Sequence, residues 1–410
     1  MDIPGLPARK GALKLIDAVL NRGETLDQAT NSALLGVKGN ADRALAKALA
    51  GEALRWMTDL DTMIDSATRL ALAPDAKVRS VLRLMLAGWL RLETPPHAVI
   101  ATGLPLLTGG PRRLAHGVFS TLTKREGKLP AAPTLPAEVA LRWGDRAGAI
   151  AAGLGNLPPL DLSMRDASET AAWTERLGGT SLMPGHVRLG RGMAVENIEG
   201  YDEGGWWVQD LAASLPARLL GAGDGRSVLD LCAAPGGKTL QLAAAGWKVT
   251  ALDASGRRLE RVNQNLARTG LSAEVIEADA LEWQPAALFD AVLLDAPCTA
   301  TGTCRRHPDV LHRIGPRQIA EQAELQVALL ERAVCWVKPG GTLVYAVCSL
   351  EPEEGEAQAA KVTSTRDVIR ADELPAGIAP SDDGYVRTDP GMLDSKGGLD
   401  GFFIARWRKV

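Results

Sequence analysis

The sequence has no Cys-x-x-Cys pair, and its five cysteines, Cys232, Cys298, Cys304, Cys335 and Cys348, are odd in number. That spacing argues against a disulfide framework and against a zinc site, so the thiols are read as free. No apolar run approaches the roughly 18–20 residues that cross a bilayer, and the opening MDIPGLPARK lacks the apolar stretch and cleavage site of a signal peptide. A cytosolic protein is expected, without membrane or metal, acting as a monomer. Nor is there the surplus of positive charge that advertises a nucleic-acid binder, since 46 Lys+Arg face 49 Asp+Glu for a net charge of -3. The total hides an uneven distribution. Residues 1–140 hold 18 Lys+Arg against 13 Asp+Glu, so an anion docks more readily at the front of the chain. There is no internal repeat and no low-complexity tract.

At 410 residues the chain exceeds a comfortable single core, and two or three domains are expected. The first 130 or so residues read as helices. Leu45, Leu49, Leu54, Met57, Leu60 and Ile64 recur at helical spacing, as do Val78, Leu82, Met85, Trp89 and Leu92. Pro95-Pro96 ends the second series, and Gly109-Gly110-Pro111 separates two later helices. The string LPAAPTLP, residues 129–136, suits an extended connector and marks a domain boundary. Residues 137–215 mix short apolar pieces such as Val187-Arg188-Leu189 with Gly-rich turns, which suggests a small α/β segment. Three domains follow: a helical one over 1–135, a connector over 136–215 and a C-terminal one over 216–410.

In that last region the strings SVLDLC, KVTALDA, AEVIEAD, FDAVLLDAPC and GTLVYAVCS alternate with helical stretches. Strand alternating with helix predicts a parallel sheet covered on both faces, whose ligand sites gather at the carboxyl ends of its strands. The terminal GLDGFFIARWRK reads as one more strand, antiparallel to the rest. Cys232-Ala233-Ala234-Pro235-Gly236-Gly237-Lys238 joins a buried strand to a helix through small residues, which lets a nucleotide-like cofactor approach the backbone. Asp253, about 20 residues beyond the glycines, stands where a carboxylate accepts from ribose hydroxyls, and Asp279 after the third strand could accept from an adenine amino group. Either aspartate could instead simply cap the helix that follows its strand. A dehydrogenase competes at this point, but the turn lacks G-x-G-x-x-G and the next two strands end in thiols.

Asp295-Ala296-Pro297-Cys298 closes the fourth strand and Tyr345-Ala346-Val347-Cys348-Ser349 the fifth, so a carboxylate and two thiols are expected to meet in one crevice. That grouping suits methylation of cytosine at carbon 5. The carbon is a poor nucleophile until a thiolate adds to carbon 6, an acid must stabilise charge at nitrogen 3, and a base must then take the carbon-5 proton. The residues alone leave open which thiol attacks. Cys335, within ERAVCWVK, reads as a buried, inert small hydrophobe, and Cys232 as turn packing.

The strings LDLCAAPGGKT, DAPCTATGTCRRHPDV, YAVCSLEPEEGE and DGFFIARWRK resemble the Fmu/Sun group of RNA cytosine-C5 methyltransferases. ARKGALKLIDAVL and ADRALAKALAGEALRWMTDLDTMID are similar to NusB sequences and point to the RsmB (Sun) branch, which modifies 16S ribosomal RNA. The resemblance implies an all-α NusB-like N-terminal bundle, a small α/β connector and a C-terminal Rossmann-like S-adenosylmethionine methyltransferase. It further implies that Cys348 is the nucleophile, that Cys298 assists product release, that Asp295 contacts the cytosine, and that Lys238 reaches into the site. Cys232, Ala233, Ala234, Pro235, Gly236, Gly237, Lys238, Asp253, Asp279 and Asp295 match its S-adenosylmethionine contacts. Two positions depart from the pattern, Val347 for the usual Thr and Thr299 for the commoner Ser, and neither removes a reacting group.

RNA, and small-subunit ribosomal RNA in particular, is therefore the expected partner. Transfer RNA as substrate, or a non-catalytic RNA-binding assembly factor, are the alternatives. Arg305, Arg306 and His307 after Cys298, and Lys10, Arg112, Arg113, Lys124, Arg125 and Lys128 at the front, are candidate phosphate contacts. Trp206-Trp207 could stack on an unstacked base, although core burial explains them as well.

Overall fold

The computed structural model describes residues 3–410 and divides into two compact units. One comprises residues 3–156 together with Cys304–Ile314, and the other Leu157–Thr303 with Gly315–Val410.

The first unit is helical: α1 (Leu6–Arg22), α2 (Leu26–Ala33), α3 (Asn40–Arg55), α4 (Met57–Ser66), α5 (Lys77–Leu90), α6 (Pro96–Gly103), α7 (Gly109–Lys124), α8 (Ala137–Trp143) and α9 (Ala147–Leu154). The periodic apolar residues of the sequence make its core, with Leu49, Leu60, Ile64, Leu82 and Met85 buried beside Leu15, Ile16 and Phe119. Each such side chain contributes about 1.5–3 kcal/mol by leaving water. The stripe from Leu45 to Ile64 belongs to two helices, because the chain leaves helical geometry at Trp56, with φ -103 and ψ 15. Gly109-Gly110-Pro111 opens α7 instead of lying between helices. Gly23 ends α1 in the left-handed conformation at φ 68, from which its N–H reaches Val19 O.

The unit's limit lies about twenty residues past the proline-rich string, at Asn156 and not near Leu135, since α8 and α9 pack with the helical bundle. Prolines mark an extended stretch of backbone, and an extended stretch can also run across its own domain.

The second unit begins with β1 (Leu160–Met164), α10 (Thr170–Arg176), β2 (His186–Leu189) and β3 (Trp206–Val208), a small antiparallel sheet in the order β2-β1-β3. Asp161 is its polar anchor. The carboxylate receives Arg188 Nε at 2.6 Å and Nη2 at 2.7 Å, and it also accepts from the main-chain N–H of Leu211. Burial opposes its charge, yet Arg188 and His186 outweigh burial and hold the carboxyl well below its ordinary range. Trp206 and Trp207 are buried in the two cores flanking this sheet, so neither offers a face to a base.

The chain continues through α11 (Leu211–Arg218), β4 (Ser227–Leu231), α12 (Gly237–Ala244), β5 (Lys248–Asp253), α13 (Gly256–Thr269), β6 (Glu274–Glu277) and β7 (Phe289–Asp295). After α14 (Val310–Arg313) come α15 (Pro316–Trp336), β8 (Val337–Val347), α16 (Glu356–Ala359), β9 (Thr365–Arg366), β10 (Val386–Thr388) and β11 (Phe402–Arg408). The main sheet runs β10-β11-β8-β7-β4-β5-β6, with β9 pairing β11. Strands β4 to β8 are parallel, and β11 returns antiparallel to β8.

Side chains along the central strands alternate between two cores, as the pleat requires. Leu229, Leu231, Val292 and Leu294 pack with Leu329 and Trp336 of α15, whereas Val228, Ala291 and Leu293 pack with Ala212 and Leu215 of α11. Helices on both faces explain why these strands read as continuous apolar runs. The chain steps outward from β4 to β6 and then back across β4 to β7, which opens a crevice at the carboxyl ends of β4 and β7. Among the described residues, no helix is long and apolar enough to cross a membrane.

Candidate functional site

The turn after β4 lies on that crevice. Cys232 takes a left-handed φ of 59, Ala234-Pro235 is a cis peptide, and Gly236 has φ 103. A Cβ at Gly236 would meet Val262 of α13 at 3.2 Å, so both backbone and space demand glycine here. Asp253 at the end of β5 braces the turn, accepting from Ala234 N at 3.2 Å and from Ser255 N at 3.0 Å. Arg258 closes over it by donating to Ala234 O. The sequence reading missed this arginine, which only the helical phase of α13 brings back to the turn. Asp279 is exposed two residues past β6, where Oδ1 accepts from Leu281 N within a turn, and not at the start of a helix as the capping alternative had it. Burial and the surrounding carboxylates push the Cys232 thiol up, which suits a turn-packing thiol and not a nucleophile.

A nucleoside cofactor fits these residues: a small-residue cradle, a buried aspartate at the second strand end and an exposed aspartate at the third. Beneath the turn, Asp230 is fully buried and takes the Thr239 hydroxyl at 2.6 Å. Burial pushes its carboxyl up to about 7.

Lys238, in the first turn of α12, reaches across to Asp295 at the end of β7, with Nζ to Oδ2 at 2.6 Å. The Phe402 ring lies 5.4 Å from the same ammonium. Burial works against its charge, but Asp295 and Cys348 outweigh that and raise it above the ordinary lysine value. Cys298 and Cys348, from the loops after β7 and β8, bring their sulfurs to 3.4 Å. The hydrogen bond to Cys348, then burial, then the nearby Glu354 hold the Cys298 thiol well above its usual range. Main-chain bonds fix the two loops together, with Ala296 N to Ala346 O at 2.9 Å and Gly302 N to Cys348 O at 3.0 Å. Thus Lys238, Asp295, Cys298 and Cys348 form one cluster, beside the cofactor turn.

Two expectations require correction. Cys335 lies in α15 as foreseen but is exposed, because it falls on the helix's outer face. Arg305, expected as a phosphate contact, is buried instead, and its carbonyl accepts from Arg55 Nη2 at 2.8 Å within the helical unit. His312 further anchors that segment, Nε2 lying 2.7 Å from Leu54 O. By contrast Lys10, Arg112, Arg113, Lys124, Arg125 and Lys128 are all exposed.

A doubly wound sheet with a glycine turn at its switch point and acidic strand ends defines a Rossmann-like fold of the nucleotide-cofactor class, with a thiol pair at the next two strand ends. Residues 217–408 match the family model described as 16S rRNA methyltransferase RsmB/F, and residues 6–106 match the NusB family. The chain is 33% identical to ribosomal RNA small subunit methyltransferase B of Klebsiella pneumoniae subsp. pneumoniae, covering 97% of each. It shares its fold with the solved structure of PH0851, at 22% identity, a TM-score of 0.72 and full coverage of both chains. A methyltransferase homolog protein from Pyrococcus horikoshii is 27% identical, with a TM-score of 0.53, over 67% of this chain and 93% of that one. The chain belongs to the RsmB/F family of rRNA methyltransferases, with a NusB domain in front.

Proposed function

We propose that this methyltransferase uses S-adenosylmethionine to form 5-methylcytosine in 16S ribosomal RNA, with Cys348 as covalent nucleophile. The observation that carries the reading is the 3.4 Å contact between Cys298 and Cys348 in one cluster with the Lys238–Asp295 pair. Bound S-adenosylmethionine supplies an electrophilic methyl group, and Cys232 to Lys238, Asp253, Asp279 and Asp295 are the residues to hold it.

Cys348, as thiolate, forms a bond to carbon 6 of the cytosine, and the electron pair of the ring double bond moves toward carbon 5. Lys238 and Asp295 face the base, where the Lys238 ammonium, held by the Asp295 carboxylate, balances the charge gathering at nitrogen 3. After carbon 5 is alkylated its proton leaves to a base, the ring double bond re-forms, and the Cys348 sulfur departs with its electrons. Cys298, in contact with that sulfur, assists release. The target base must leave its helix at a cost of a few kcal/mol, which favours a loop nucleotide over a paired one. The basic exposed residues of the helical unit, Arg112, Arg113 and Lys124 among them, support RNA docking there. Small-subunit rRNA is preferred over transfer RNA because the relative named above, similar over nearly its whole length, is named for the small subunit.

The test uses purified protein, labelled S-adenosylmethionine and small-subunit RNA. Label on carbon 5 is expected from wild type and none from Cys348→Ala, while Cys298→Ala accumulates a protein–RNA adduct that survives denaturant. Exchange of the last two outcomes would reverse the assignment of the thiols, and absence of label on carbon 5 would end the proposal.

A further inference from the structure

Outside the reacting cluster the structure contains a second polar network that the mechanism above does not use. Glu354 is fully buried, two residues ahead of α16. A carboxyl group in such a place costs several kcal/mol unless donors surround it. Four do. Its oxygens accept the main-chain N–H of Thr299 at 2.9 Å, the Thr299 hydroxyl, the Ser349 hydroxyl at 3.1 Å and the Gln326 amide at 3.1 Å. The Thr299 N–H and the Gln326 amide nitrogen can only donate, which fits an ionised acceptor even though burial raises the Glu354 carboxyl above its ordinary value.

The positions of the donors are informative. Thr299 immediately follows Cys298, and Ser349 immediately follows Cys348. Gln326 donates as well to the carbonyl of Pro297, the residue before Cys298. Tyr345, three residues ahead of Cys348, donates to the Glu354 carbonyl at 2.6 Å. One buried side chain therefore ties down both thiol loops, each within one residue of its sulfur.

The charges around the sulfurs are also unequal. Cys298 is faced by Cys348, Glu354 and Tyr345, whereas Lys238, paired with Asp295, acts on Cys348. A buried carboxyl group acts on one thiol and an ammonium on the other. We infer that Glu354 is a positioning residue of this site, locking the Cys298 loop to the Cys348 loop and polarising the thiol pair so that Cys348 carries the charge and Cys298 the proton. This rests on the two-thiol reading above, and it adds the residue that makes two otherwise similar cysteines unlike.

The test compares wild type, Glu354→Gln and Glu354→Asp as full-length proteins, with thermal melts as the folding control. Iodoacetamide alkylation over a range of pH, resolved by peptide mass spectrometry, gives the reactivity ratio of Cys348 to Cys298 without RNA or cofactor. Removing a nearby buried like charge shifts a thiol by about one pH unit or more, so Glu354→Gln should lower that ratio at least roughly tenfold. Glu354→Asp, which keeps the charge, should restore much of it. With small-subunit RNA and S-adenosylmethionine, Glu354→Gln should also raise the denaturant-resistant adduct several-fold, since release is the step that uses Cys298. An unchanged alkylation ratio, or methylation falling only in proportion to the melting temperature with no excess adduct, would overturn the inference. If the Gln variant does not fold, Thr299→Val removes the hydroxyl donor while keeping the carboxylate, and its adduct level must rise for the inference to stand. Alkylation needs no substrate, so lack of any adduct in the Cys298→Ala reaction counts against the nucleophile assignment and leaves the Glu354 alkylation result to be read by itself.

Discussion

Replacing Lys238 by methionine tests the electrostatics of the site most directly, because the side chain keeps its length and loses only the charge. At the observed 2.6 Å separation from Asp295, Coulomb's law with an effective dielectric near 20 gives about 6 kcal/mol of attraction. The net loss is smaller. Lys238 recovers its own burial cost when neutral, and the Asp295 side chain, 30% exposed, can turn partly to water. About 3 kcal/mol is then the expected loss of transition-state stabilisation, close to a hundredfold in rate. Single-turnover formation of 5-methylcytosine by Lys238→Met should slow by that factor. The double variant Lys238→Met/Asp295→Asn should recover thermal stability without recovering activity, because no carboxylate is left without its counter-ion. A single variant within threefold of wild type would refute the reasoning.

Asp161→Ala leaves the buried Arg188 without its carboxylate and should cost about 3–5 kcal/mol in urea unfolding. The Asp161 carboxyl is held low in the folded state, so the stability it provides is complete above the unfolded carboxyl range near 4 and is lost as pH falls through the folded value. Asp230 behaves in the opposite sense. Its folded value of about 7 lies above the unfolded one, so the native state binds an extra proton between about 4 and 7 and loses stability as pH rises through that window. Asp230→Asn should therefore gain on wild type between pH 5 and pH 8 by about 2–3 kcal/mol, the two pH units from 5 to the folded value at 1.36 kcal/mol each, and an equal difference at both pH values would contradict the assignment. In Gly302→Ala the new Cβ would stand 2.0 Å from Gly401 O, so the loop after Cys298 must shift. A stability loss of about 1–3 kcal/mol with a larger proportional fall in methylation is expected.

Much of the fold is written locally. The apolar residues of the front helices recur at helical spacing, and the runs from Val228 to Leu231 and from Val344 to Val347 are apolar on both faces because helices cover both sides of the sheet. Positions with a special backbone are legible too, as Gly236 is. What misleads is a local signal with two physical meanings. The prolines near residue 130 mark extended backbone but not the limit of a unit, and a helical cysteine such as Cys335 packs or faces water according to a phase that sequence spacing shows only approximately. Arg305 has the look of a solvated charge, yet the helical unit buries it.

Taken by itself, the sequence settled the order of strands and helices, the glycine turn and the thiols at two strand ends, because each depends on neighbours a few residues apart. Tertiary structure alone decided that the two sulfurs lie 3.4 Å from one another, that Lys238 meets Asp295, and that Glu354 joins both thiol loops. Those partners are between 5 and 57 residues apart in the chain, and only the crossover of the sheet brings them to one crevice. A charge or a thiol acquires its chemistry from what stands within a few ångströms of it, and that distance is a property of the packed chain.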